Sequence, residues 1–179
     1  MKAFAIVALT LLAYWPSLRG PFLWDDDAYI THNRLVTQPG NLTRIWASTE
    51  PADYYPLTFT AFRLQWLAWG AHPVGYRVVN VLLHALNALL LWAILDRLQI
   101  PGAWLGGLLF ALHPVNVATV AWITELKNLL TFGFAGLTVN IVNPGAGANT
   151  QGMADEMRER SEEHTSELQS PYVISYAVF

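Results

Sequence analysis

Residues Val78 to Leu95 read VVNVLLHALNALLLWAIL and hold no charged side chain, which is the strongest indication of the fold class. A helix that crosses a membrane needs about 20 consecutive, mainly apolar residues. The core elements of a soluble domain show striped or alternating patterns instead. We therefore predict a membrane-spanning helix at 78–95, with Arg77 and Arg97 as its charged ends.

A second apolar run follows at 103–123 and reads AWLGGLLFALHPVNVATVAWI. Pro101-Gly102 separates the two runs and is a strong helix breaker. Because the connection is so short, the two spans are expected to form an antiparallel hairpin. His113-Pro114 should bend the second of them, since proline lacks an N–H and its ring clashes with the preceding turn.

The N-terminal run at 3–23 is the third candidate span. Lys2 precedes it, and a signal peptide is the alternative, but no small-residue cleavage site follows. A fourth apolar stretch, Leu129–Val142, is marginal in length. Basic residues favour the cytoplasmic side, so Lys2 and Arg97 are placed there and the loop at 19–76 outside. The predicted fold class is an all-α membrane protein with three or four transmembrane helices and one long exoplasmic loop.

Composition narrows the function classes further. Of the 179 residues, 54% are hydrophobic and 13% are charged, against about 25% charged in a soluble domain. The net charge of −3 comes without a basic cluster, so no nucleic acid partner is expected. The sequence has no cysteine, which excludes disulfides and thiolate metal sites. Eight Trp and seven Tyr fit a bilayer interface, where amphipathic rings collect.

The C-terminal part differs from the rest. Two strings, RSEEHTSELQS at 160–170 and ISYAVF at 174–179, resemble a translated sequencing-library adapter. We therefore interpret 160–179 as a disordered artefact rather than as a domain; an ordinary disordered tail is the alternative. The membrane unit is assigned to 1–131. Residues 132–159 are left open, as either part of the same gene or a foreign segment.

Three consecutive carboxylates follow Trp24, at Asp25, Asp26 and Asp27. Like charges so close together raise at least one pKa, and a carboxylate tuned in this way suits general-base work on a hydroxyl group. The alternative is a solvated acidic turn in which an aspartate caps a short helix. Hard divalent cations also bind carboxylates, so a metal here stays open. The histidines lack zinc-ligand spacing, and no metal site or cofactor is predicted.

A polar stripe lies inside the span at 78–95. Asn80, His84 and Asn87 follow at helical spacing and therefore share one face. Polar groups at membrane depth usually face a bundle interior or a wet cavity. The alternative is that they form hydrogen bonds that hold helices together.

A second cluster of polar residues lies at the far end of the span at 103–123, on the same side as the acidic loop. It comprises Glu125, Lys127 and Asn128. A lysine there would meet a lipid phosphate as a point charge. The alternative is a lysine that snorkels to the interface and pairs with Glu125. His113, with Glu125 and the polar stripe, is counted as a supporting polar residue.

Several of these strings, taken in order, resemble one family. It comprises the membrane glycosyltransferases related to dolichyl-phosphate-mannose protein mannosyltransferases, especially the members with C-terminal tetratricopeptide repeats. The resemblance covers roughly residues 4–131. The strings that carry it are Phe22–Asp26 with Tyr29, Ile30 and Asn33, then Tyr54–Thr58, Gly75–Arg77 with Asn80–Asn87, Leu108–Val115 and Ala121–Glu125.

The resemblance implies a fragment of a GT-C glycosyltransferase in the bacterial inner membrane or the endoplasmic reticulum. Such an enzyme moves a sugar from a polyprenyl-phosphate donor to a protein or glycan acceptor on the exoplasmic side. It implies catalytic roles for Asp25 and Asp26. The family's Glu-Arg-Lys-Asn string reads Glu125-Leu126-Lys127-Asn128 here, so binding of the donor phosphate rests on Lys127 or is lost. Two rivals stay open: a non-enzymatic membrane subunit or transporter, and a chimeric translation without function.

Overall fold

The computed structural model describes residues 1–40, 42–47 and 54–142, and every regular element in these ranges is helical. The predicted all-α class is therefore confirmed for this part of the chain. The interpretation of 160–179 as adapter-derived, and most of the open segment 132–159, lie outside the described residues.

Eight α-helices follow one another in the described ranges. They are α1 (Lys2–Tyr14), α2 (Arg34–Thr37), α3 (Leu42–Ala47), α4 (Pro56–Trp69), α5 (Pro73–Arg97), α6 (Ala103–Leu112), α7 (Val117–Ala121) and α8 (Leu126–Val142). Three short 3₁₀ helices and one π-helical turn connect some of them. These are Trp15–Arg19, Pro114–Asn116 and Ile123–Glu125, and the π turn Asp27–Thr31.

The helix α5 is the centre of the structure, and α1, α6 and α8 pack against it. It has a mean hydropathy of 2.1 and is, among the described residues, the one continuous helix long and apolar enough to cross a membrane. A second span results if α6 and the segment Pro114–Ala121, bent by 46°, count together. A membrane-capable helix is thus present where the sequence predicts it, and three or four spans remain a prediction.

The expected continuous helix at 3–23 is wrong in extent. α1 ends at Tyr14 and the chain tightens into the 3₁₀ helix Trp15–Arg19. Pro16 supplies the physical reason, because it donates no backbone hydrogen bond and its ring crowds the turn before it.

The predicted hairpin of α5 and α6 is present, and its turn includes Gly102 at a φ of +79°. Its helices approach closely at Gly107, where an added Cβ would lie 2.8 Å from the Trp92 Cβ. Gly107 belongs to a buried row of small residues at four-residue spacing, with Ala103 and Ala111. Small residues of this kind let the backbones of membrane helices meet.

The long loop has a hydrophobic core of its own, which continues onto the helices that follow it. Its buried members come from the π turn, α2, α3 and α4, and they pack against α5, the last 3₁₀ helix and α8. The cluster comprises Ile30, Leu35, Val36, Ile45, Phe59, Phe62, Tyr76, Ile123 and Leu126. The loop is therefore docked on α5 and on the segment that leads into α8, which fixes the position of its acidic run.

From the sequence, Phe59 to Trp69 is expected to form a helix lying in the membrane interface, with Arg63 and Gln65 as its polar residues. The helix α4 is present, but both side chains are buried, whereas Leu64 and Leu67 are 58% and 66% exposed. Arg63 turns inward because its guanidinium donates to the Val36 carbonyl at 2.6 Å. A charge-assisted bond to a buried carbonyl is stronger than a neutral one.

Candidate functional site

The acidic run begins with a strained turn. Trp24 has a φ of +47°, which is unfavourable for a bulky side chain. Its ring packs edge-on against Trp122, with the ring centroids 4.6 Å apart. Strain of this kind persists only where the surroundings hold it. Here it brings the next two residues of the loop against the segment between α7 and α8.

Asp25 is half-buried and is held by one of its two oxygens. Its Oδ1 accepts hydrogen bonds from the Trp122 indole Nε1 at 2.9 Å and from the Thr124 Oγ1 at 3.1 Å. Within the described ranges, no donor contacts its Oδ2. The carboxylate is therefore oriented by two donors and keeps one oxygen available to a substrate.

Asp26 is fully buried and both of its oxygens are engaged. Its Oδ2 accepts from the Leu23 N–H at 2.9 Å, and its Oδ1 accepts from the Thr124 N–H at 3.0 Å. Burial raises the pKa of Asp26 above 3.8, although these two hydrogen bonds and the charge of Arg77 oppose the shift. The side chain does not cap the following turn; it links the loop to the spans.

Asp27 lies apart from this arrangement. Its side chain is exposed, and its Oδ1 accepts from the Thr31 Oγ1 at 2.8 Å, within the same π turn. Of the three consecutive carboxylates, the structure thus brings two to the spans and leaves the third in solvent.

Arg77 joins the same region from α5, and the sequence analysis missed it as a site residue. Its guanidinium is 1% exposed and donates to the carbonyls of Gly20 and Pro21. Its Nε donates to the Ala121 carbonyl at 3.2 Å. Arg77 was part of a string that carries the resemblance, but its charge was interpreted only as the end of a predicted span.

The polar stripe of α5 bonds to backbone carbonyls of the neighbouring helices. The donor–acceptor distances are 3.0 Å from Asn80 Nδ2 to Trp122 O, 3.0 Å from His84 Nε2 to Ala111 O, and 2.9 Å from Asn87 Nδ2 to Leu129 O. Since a carbonyl only accepts, His84 carries its proton on Nε2. Both asparagine Oδ1 atoms are buried without a partner in the described part of the chain.

The helix break at His113-Pro114 is present where the sequence predicts it. The His113 side chain is exposed, and its Nδ1 accepts from the Val115 N–H at 3.2 Å. The Phe110 carbonyl, which cannot bond to the nitrogen of Pro114, accepts from the Asn116 Nδ2 at 2.8 Å instead. His113 therefore shapes the backbone and, in this structure, does not contact the two aspartates.

Lys127 lies beyond the last 3₁₀ helix. Its Nζ is 3.6 Å from the Glu125 Oε1 and 5.8 Å from the centroid of the Tyr55 ring. Asn128 Nδ2 donates to the other Glu125 oxygen. The ion pair is thus present, and the ammonium group remains partly exposed. Leu126, which replaces an arginine of the family string, is fully buried.

A cleft of about 270 Å³ opens beside Lys127, between the first turn of α4 and the first two turns of α8. The wall formed by residues 54–58 was not predicted to have a functional role, although this string is one of those that carry the resemblance. The lining residues are Tyr54, Tyr55, Pro56, Leu57, Thr58, Lys127, Asn128, Leu130, Thr131 and Phe134.

The segment 122–127 connects these features, because Trp122 and Thr124 hold the aspartates and Lys127 lines the cleft. In the described ranges, no group of three or more His, Asp or Glu side chains is gathered as a metal site would need. A divalent cation at Asp25 and Asp26 would therefore have no further side-chain ligand of these types.

The chain is similar to several curated proteins. It is 31% identical over 148 residues to protein O-mannosyl-transferase TMTC4 of Mus musculus, a match that covers 68% of this chain and 20% of that relative. It is 34% identical over 141 residues to TMTC1 of Mus musculus, covering 70% and 15%. It is 35% identical over 135 residues to Tmtc1 of Drosophila melanogaster, covering 68% and 16%.

No family model matches the chain, and no solved structure does. The chain spans between 15% and 20% of the length of these curated relatives. All of these relatives carry the name protein O-mannosyl-transferase, in agreement with the resemblance of the motifs. This chain is accordingly a homologue of a segment of the protein O-mannosyl-transferases.

Proposed function

We propose that the full-length protein that carries this chain transfers a sugar from a polyprenyl-phosphate donor to a hydroxyl group of a protein or glycan acceptor, outside the cytoplasm. The observation that carries the proposal is the held carboxylate of Asp25, with one free oxygen beside the segment that leads to Lys127. Homology to O-mannosyl-transferases supports a glycosyltransferase and a protein acceptor.

The reaction is an inverting displacement. The acceptor hydroxyl oxygen attacks C1 of the sugar, and its proton passes to a carboxylate of the Asp25–Asp26 pair. The bond between C1 and the phosphate oxygen breaks, and the polyprenyl phosphate leaves with the electron pair. A positioned general base typically contributes about 100- to 10,000-fold to such a step.

Lys127 holds the phosphate of the donor in this proposal. The Lys127 side chain is 27% exposed, and it lines the cleft beside Tyr55. An ammonium group stabilises the negative charge that grows on a leaving phosphate. Glu125 and Asn128 keep the lysine at the wall of the cleft.

The same proposal includes the membrane topology. α1 with the 3₁₀ helix after it, α5, the broken pair α6–α7, and α8 form three or four spans of a larger GT-C bundle. The loop at 19–76 is exoplasmic. The protein is an integral, multi-pass protein of the bacterial inner membrane or the endoplasmic reticulum.

The test is sugar transfer by the full-length protein in proteoliposomes. A polyprenyl-phosphate mannose and a nucleotide-linked mannose are offered in parallel with an acceptor peptide. Transfer from the lipid donor alone is expected. Lys127→Gln should raise KM for that donor about 10-fold or more, since hydrogen bonds to charged groups are worth about 1.5–3 kcal/mol.

Lys2→Gln is the matched control, because Lys2 is exposed at the beginning of α1. It should leave KM unchanged. Absence of transfer from any polyprenyl-phosphate sugar, by protein that is folded and reconstituted, would refute the proposed function. An unchanged KM in Lys127→Gln would refute the role of the lysine alone.

A further inference from the structure

Arg77 is a buried cation that bonds to backbone carbonyls on two separate segments. Two of the three carbonyls belong to Gly20 and Pro21, in the chain that leads into the acidic run. The third belongs to Ala121, directly before Trp122. The guanidinium thus connects the two segments that meet at Asp25.

Asp26 makes a second connection between the same segments. Its two oxygens accept from the N–H groups of Leu23, on the loop, and Thr124, on the 3₁₀ helix before α8. Arg77 therefore binds carbonyls of both segments, and Asp26 binds N–H groups of both. The two charges also attract each other, since Arg77 favours the ionised form of Asp26.

Asp25 depends on this arrangement for its geometry. Its two donors, the Trp122 indole and the Thr124 hydroxyl, lie on one segment, whereas Asp25 itself lies on the other. A relative shift of the segments would separate the carboxylate from both donors. Displacement of a reacting group by about 1 Å can cost about 100-fold in rate.

We propose that Arg77 is a positioning residue, which together with Asp26 holds the loop against the broken helix so that Asp25 presents its free oxygen to the acceptor hydroxyl. The inference rests on the proposed function and divides the roles of the acidic pair. Asp25 is the catalytic carboxylate, and Asp26 is a positioning residue like Arg77.

A lysine cannot replace Arg77 in this role. The guanidinium is planar and offers five donors in a fixed fork, whereas an ammonium group is a compact point charge. Arg77→Lys therefore keeps the charge and most of the length but cannot bond to all three carbonyls with the same geometry. Arg77→Ala removes both the charge and the fork, and it leaves space for a small guanidinium compound.

The experiment measures donor and acceptor kinetics of full-length Arg77→Lys in proteoliposomes. We expect kcat to fall about 10- to 100-fold, from misplacement of the base, while KM for the lipid donor stays within about threefold. In Arg77→Ala, methylguanidinium should restore part of kcat, and methylammonium should not. Arg19→Lys, at an exposed arginine near the same loop, should match the wild type.

Each contrary result has a distinct meaning. A wild-type kcat in folded Arg77→Lys overturns the inference, as does a change confined to KM, which would make Arg77 a donor-binding residue. Absence of rescue by methylguanidinium overturns it too. If every Arg77 variant fails to fold, the residue maintains the fold rather than the site. In all of these cases the proposed function stands, because its own test is whether the wild-type protein transfers sugar from a polyprenyl-phosphate donor.

Discussion

Replacing each carboxylate of the acidic run by its amide should separate the roles of the three aspartates. Asp25→Asn keeps the size of the side chain and one oxygen that accepts from Trp122 and Thr124. An amide NH₂ group, which cannot accept a proton from the acceptor hydroxyl, replaces the free oxygen. Turnover should fall about 100- to 10,000-fold, equal to about 2.7–5.4 kcal/mol of activation free energy at about 1.36 kcal/mol per tenfold. Stability should change little, because both hydrogen bonds remain.

Asp26→Asn should lower stability more, and turnover less, than Asp25→Asn does. Both oxygens of Asp26 accept from buried N–H groups, so the new amide nitrogen must face either Leu23 or Thr124. One N–H then loses its acceptor, which costs about 1–3 kcal/mol of unfolding free energy. Removal of a buried charge offsets part of this cost. Turnover should fall less than in Asp25→Asn, since the base is displaced and not removed.

Asp27→Asn is the matched control within the same run. Its side chain is exposed, and an amide oxygen can still accept from Thr31. The assay is mannose transfer in proteoliposomes, with thermal unfolding in detergent measured on the same preparations. If Asp25→Asn and Asp26→Asn both keep near-wild-type turnover while folded, the acidic run is only a structural turn. A loss of turnover in Asp27→Asn would equally contradict the assignment.

Three further predictions concern packing, pH and topology. Gly107→Ala should destabilise the hairpin by about 1–3 kcal/mol, because the new Cβ would lie 2.8 Å from a Cβ and 3.0 Å from a backbone oxygen of α5. Gly106→Ala is the control: its new Cβ would meet only the flexible end of a leucine side chain, so it should cost less in the same unfolding assay. The pKa of Asp26 in the folded state lies above 3.8, so the folded state binds more protons at this group than the unfolded state. The stability of the wild type relative to Asp26→Asn should therefore fall as pH rises from about 3.8 to the folded pKa. A difference in unfolding temperature that does not change with pH would contradict this. Since the chain has no cysteine, an impermeant maleimide should label Asp27→Cys from the exoplasmic side and Gln99→Cys only after permeabilisation; the reverse pattern would invert the topology.

Local sequence patterns were sufficient to predict α5, the turn after it and the break after α6. The charge-free run at 78–95 predicted α5, although the helix begins at Pro73. Pro101-Gly102 and His113-Pro114 predicted the turn and the break because proline and glycine act on their own backbone. The end of α1 was missed, since Pro16 was not treated as a breaker. Each of these features depends on residues close together in the chain.

The site was predicted only in part, because its contacts are distant in sequence. Asp25 and Asp26 were identified by their unusual adjacency, yet the partners that fix them, Trp122 and Thr124, lie 97 to 99 residues away. Arg77 and the tyrosine wall of the cleft gave no comparable local signal. Burial of Arg63 was missed for the same reason, since a helical pattern does not reveal which carbonyl a side chain will reach.

The irregular backbone at 113–125 explains why the fold and the candidate site coincide. A break inside a membrane bundle leaves carbonyls and N–H groups without helical partners, and each is costly to bury. Side chains of α5 donate hydrogen bonds to several of these carbonyls. His84 donates to Ala111, Arg77 to Ala121 and Asn80 to Trp122.

Among the N–H groups, that of Val115 bonds to His113 Nδ1 and that of Thr124 bonds to Asp26. The bond from Thr124 helps to hold the acidic loop against the broken helix. Asp25 follows its neighbour and reaches Trp122 and Thr124 on the same segment. A continuous helix from α7 through Thr124 would bond this N–H internally, so the break at Trp122 is a condition for the site. Restoring helix geometry between α7 and α8 should therefore release the loop before it unfolds the spans.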